Sequence, residues 1–75
     1  SFVDMKKIEQ LVALIRKQHK ACDKAWDKAD PLIVRYRGCH PTPKKVSAAF
    51  ASYERRLRLV SRSEQRLMDL VRYGG

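Results

Sequence analysis

The sequence predicts an all-α fold, an antiparallel hairpin of two long helices, and three observations carry the prediction. Apolar or small residues recur at alternating intervals of three and four along the first half of the 75-residue chain, and the same interval governs the second half. Between them lies Gly38-Cys39-His40-Pro41-Thr42-Pro43, where the chain must turn back on itself. A sustained three-four pattern places one narrow stripe on each helix, and two such stripes form the seam of a coiled-coil-like pair.

The first helix is expected over about 4–37. Its stripe is Met5, Ile8, Val12, Ile15, His19, Cys22, Trp26, Ala29, Ile33 and Tyr36, with His19 the one imperfect member. Good helix formers dominate the remaining positions, and Lys20 with Asp23 and Lys24 with Asp27 stand at a spacing that allows weak ion pairs. Ser1, Phe2, Val3 and Asp4 precede Met5, which suggests a natural start at Met5.

Asp30-Pro31 interrupts this helix, because an interior proline removes a backbone hydrogen bond and crowds the preceding turn at a cost of about 3 kcal/mol. Either the helix continues with a kink, or Asp30 caps a separate short helix. Ile33 and Tyr36 keep the phase set by Trp26 and Ala29, which favours the kinked continuation.

The turn is placed at 38–42. Gly38 suits the left-handed position after a helix, with Arg35 and Arg37 complementing the helix dipole. Thr42 reads as an N-cap and Pro43 as the first helical residue. The second helix, about 43–72, carries its stripe at Val46, Phe50, Tyr53, Leu57, Val60, Glu64, Leu67 and Val71. At 1.5 Å per residue the helices should measure about 50 and 45 Å.

Folding the stripes together about this turn pairs Tyr36 with Val46, Ile33 with Phe50, Ala29 with Tyr53, Trp26 with Leu57, Cys22 with Val60, His19 with Glu64, Ile15 with Leu67, and Val12 with Val71. The two polar members, His19 and Glu64, fall in one layer, and a buried polar layer is a recognised way of fixing register. Met5 and Ile8 are left beyond the end of the second helix.

A second apolar strip follows Leu11, Leu14, Ala21, Ala25 and Leu32, with a sparser counterpart of Ala48, Leu59 and Leu70 on the second helix. Two helices cannot bury both strips, and so short a chain buries only about 60% of its unfolded surface. The simplest solution is a homodimer forming a four-helix bundle, with Met5, Ile8, Leu11, Leu14, Ala21, Ala25, Leu32 and Leu59 at the interface.

Seventeen Lys and Arg against eight Asp and Glu give a formal charge of +9, which points to an anionic partner. The excess is spread over both helices. No apolar run approaches a membrane span and nothing resembles a signal peptide, so a soluble, cytoplasmic protein with no membrane partner is expected. Cys22 and Cys39 do not form a disulfide framework.

His19 and Cys22 have a spacing compatible with two metal ligands, but Cys39 and His40 lie about 30 Å away along the helix. No metal site, cofactor or catalytic residue is assigned. His19 and Glu64 have the chemistry of an acid–base pair, yet no phosphate loop, nucleophile elbow or second converging acid accompanies them, and no enzymatic activity is expected.

The informative feature is on the back of the second helix. Lys44, Arg55, Arg58, Arg62 and Arg66 lie within a narrow arc nearly opposite the seam, broken only by Asp69. Arginine suits bidentate contact with phosphate. The leading expectation is therefore a small protein binding nucleic-acid phosphates without strong sequence readout. The alternative is an adaptor or regulatory subunit whose Met5, Ile8 and Leu14 surface engages an acidic or apolar protein partner.

Overall fold

The computed structural model describes residues 4–74, which form two helices, α1 (Met5–Arg35) and α2 (Lys44–Tyr73), packed against each other as a hairpin. Its extents are 55 × 17 × 14 Å. Among the described residues no helix is long and apolar enough to cross a membrane. The expected start at Met5 concerns residues 1–4, of which 1–3 lie outside the described residues.

The helix ends follow local chemistry. Asp4 caps α1, its carboxylate accepting from the backbone N–H groups of Lys6 at 3.0 Å and Lys7 at 3.2 Å. The last turn closes when Tyr36 donates to the Leu32 carbonyl at 3.0 Å, two residues earlier than the sequence suggested. Gly38 has φ +82°, a conformation in which any side chain would be strained, and the His40–Pro41 peptide is cis. α2 corrects the reading of Thr42 as its cap: Pro43 occupies that position with ψ 141°, and no side chain caps the helix. Its first turn carries Lys44 and Lys45, unfavourable beside the positive end of the dipole. Lys45 is held elsewhere, its ammonium 4.5 Å from the Tyr36 ring centroid, while the Arg35 guanidinium lies 5.5 Å from the same ring.

α1 runs unbroken through Pro31. Pro31 is exposed, so its ring faces water, and Ala29, Leu32, Ile33 and Tyr36 around it remain buried or half-buried in the hairpin. Continuous packing on that side offsets the missing hydrogen bond.

The central line of the core is the expected one. Ile15, Cys22 and Ala29 are buried at seven-residue spacing on α1, facing buried Val46 and Val60 on α2. The flank beside that line is not the expected one. Leu11, Gln18, Ala25 and Leu32 on α1 are half-buried; on α2 Ala49 and Leu70 are half-buried and Ser63 is buried. Trp26, Phe50, Leu57 and Val71, assigned to the seam, are exposed. Side-chain size accounts for the difference. Ala25, Ala49, Ser52 and Ser63 are small and are buried or half-buried on one flank, whereas Trp26, Phe50 and Leu57 on the other are too large to be covered by two helices alone. The Trp26 and Tyr53 rings are 4.9 Å apart, and those of Tyr53 and Phe50 are 6.1 Å apart.

The polar layer is corrected in the same sense. His19 Nε2 and Glu64 Oε2 are 3.5 Å apart, as the register requires, but their side chains are 52% and 51% exposed, so they clasp the edge rather than fill the core. The polar groups inside are Ser63 and Gln18, whose Oε1 is buried without a hydrogen-bond partner. Among the described residues His19–Glu64 is the only contact within ion-pair distance, and it is an ion pair only when His19 is protonated; the anticipated Lys20–Asp23 and Lys24–Asp27 pairs do not form.

Candidate phosphate-binding surface

The arginines on the back of α2 follow from helical spacing. Arg55, Arg58 and Arg62 recur at intervals of three and four, so each succeeds the last by about one turn on the same side. Arg55, Arg56, Arg58 and Arg62, with Ser52 and Leu59, line one shallow hollow. All four arginines are exposed, and among the described residues none has a carboxylate within ion-pair distance. Asp69 is engaged instead by Gln65, whose Nε2 donates to its Oδ1 at 3.0 Å. The result is concentrated, uncompensated positive charge on a rigid helix, suited to several phosphate oxygens at once.

The structure does not gather all the expected basic residues. Arg66 belongs to a neighbouring hollow with Lys7, Gln10, Leu11, Leu14, Asp69 and Leu70. Lys44 stands at the turn end, about 16 Å from Arg55 along the helix. Conversely, sequence reasoning missed Arg56. It is shared with a second hollow between the helices, lined by Ala21, Lys24, Ala25, Lys28 and Ser52. Arg56 carries the cationic surface from the back of α2 onto Lys24 and Lys28 of α1. The signal was available, since Arg56 stands seven residues from both Ala49 and Ser63, on the close-packed flank.

The residues assigned to a dimer interface separate into two groups. Ile8, Leu11, Ala21, Ala25 and Leu32 are half-buried in the hairpin itself, so they do not form an open strip. Met5, Leu14 and Leu59 stay exposed. No protein-family model, curated protein or solved structure matches the chain.

Proposed function

We propose that this protein is a cytoplasmic binding module, not an enzyme, that holds nucleic-acid phosphates on α2 without reading base sequence. The observation supporting it is the hollow surrounded by Arg55, Arg56, Arg58 and Arg62, whose charges no described carboxylate pairs. Exposed arginines without internal partners release bound counterions when they meet phosphates, so affinity depends steeply on salt. The protein acts as a homodimer, which doubles these contacts.

Filter binding to several unrelated duplexes and single strands, at two salt concentrations, tests the reading. A slope of several units in log affinity against log salt is expected, and Arg55→Gln with Arg62→Gln should flatten it and weaken all sequences alike. Failure of the parent protein to bind near physiological salt overturns the proposal.

One observation favours the adaptor reading next. Leu11, Leu14 and Leu70 share a hollow with Lys7, Gln10, Arg66 and Asp69, an apolar floor beside a rim in which two basic groups outnumber one acid, which suits an amphipathic helix from another protein.

A further inference from the structure

One place in the packed line between the helices is held by a charge. On the flank where the small residues lie, Leu11, Gln18, Ala25 and Leu32 of α1 recur at seven-residue spacing and are half-buried, and Ala49, Ser63 and Leu70 of α2 stand in the matching line, buried or half-buried. Arg56, seven residues from both Ala49 and Ser63, takes the remaining place in that line and is exposed. Its surroundings leave space. Ala21 and Ala25 of α1 and Ser52 of α2 line, with Arg56, a hollow of about 290 Å³ between the helices, and Lys24 and Lys28 complete its wall. An apolar side chain at position 56 would fill the hollow and bury its own surface; the arginine leaves it open and sets a guanidinium beside it.

The charge in the hollow has one sign. Among the described residues Lys24, Lys28 and Arg56 have no carboxylate within ion-pair distance. The acids nearest in sequence, Asp23, Asp27 and Asp30 of α1 and Glu54 of α2, stand at least about 120° round their helices from Ala21, Ala25 and Ser52. The hollow is also small, just below the roughly 300–1,000 Å³ of pockets that enclose whole small molecules, so it suits a single chemical group.

We infer that this hollow seats the terminal phosphate of a nucleic-acid strand between the helices, while the strand continues over the arginines of α2. The inference rests on the phosphate-binding reading and deepens it. Charge selects the end of a strand over its interior: a backbone phosphate carries one negative charge, whereas a terminal phosphate carries about 1.5 to 2 at neutral pH, and three cations gathered about one point gain from the difference. Its free oxygens can accept from the Arg56 guanidinium, the two ammonium groups and the Ser52 hydroxyl. Ser52 and Arg56 line this hollow and also the one formed with Arg55, Arg58 and Arg62, so the following phosphates of the strand meet those arginines next.

Competition measured by fluorescence anisotropy tests the assignment, using one oligonucleotide sequence in three forms: 5′-phosphorylated, 3′-phosphorylated, and hydroxyl at both ends. A phosphorylated end should bind about fivefold or more tightly than the hydroxyl form, and the form that gains identifies which end of the strand is held. Lys24→Gln with Lys28→Gln, away from the back of α2, should abolish the advantage and change binding of the hydroxyl form little. Arg62→Gln should weaken all three forms and keep the advantage. Ala25→Leu, which fills the hollow without removing a charge, should abolish it as well, with circular dichroism checking that each variant stays helical. Equal affinity for the three forms, or an advantage that survives both the lysine pair and Ala25→Leu, overturns the terminal site and leaves the phosphate-binding reading in place. Failure of all three forms to bind near physiological salt overturns that reading and this inference alike. Displacement by polyglutamate as effective as that by the phosphorylated strand overturns the inference in favour of an acidic protein segment.

Discussion

His19 and Glu64 meet across the helices at 3.5 Å, and this exposed edge contact marks the level at which the two helices are paired. Its energetic share is small because water screens both groups. A double-mutant cycle on His19→Ala and Glu64→Ala should give a coupling of about 0.5 kcal/mol, the range of exposed pairs. A coupling of several kcal/mol would mean that the pair is buried.

Gln18 should weigh more than this pair. Its Oε1 is buried without a partner, so the hairpin carries an acceptor stripped of water. Gln18→Leu should stabilise the protein by about 1 kcal/mol in urea unfolding. Destabilisation would show that the amide makes a hydrogen bond in solution.

Pro31 lies inside α1 with its ring toward water. Pro31→Ala restores one backbone hydrogen bond and relieves the crowded turn, against a smaller loss from a more flexible unfolded chain. A net gain of about 2 kcal/mol is expected, read as a higher thermal midpoint. An unchanged midpoint would show that the helix bends there at little cost.

Tyr36 should ionise below the ordinary tyrosine value of 10.0, because the nearby Lys45 ammonium favours the phenolate and the Arg35 charge adds to the effect. Ultraviolet titration of the parent against Tyr36→Phe isolates this phenol, and Lys45→Met should move its transition to higher pH. No movement would show that Lys45 does not reach the ring in solution.

The hairpin was legible in the sequence because its periodicity is long and its breaks are few. Ile33 and Tyr36 stayed in phase beyond Pro31, and that alone was enough to carry α1 through the proline. The level of His19 with Glu64 followed from the length of the turn. The choice of flank did not follow. Both flanks of Ile15, Cys22 and Ala29 carry apolar residues, and Trp26 and Leu57 offer more apolar surface to bury than Ala25 and Gln18. Close approach instead rewards smallness, a property of pairs across the helices rather than of either stripe alone. The same rotation hid Arg56, which looked like an ordinary charge until its helix was seen turned.

The hairpin is tied at one end only. At the turn, Tyr36 holds cations from both helices, whereas at the far end Met5, Val71 and Tyr73 are largely exposed. The molecule should therefore open like a zip from its termini, amide protons near Val71 exchanging sooner than those near Val46.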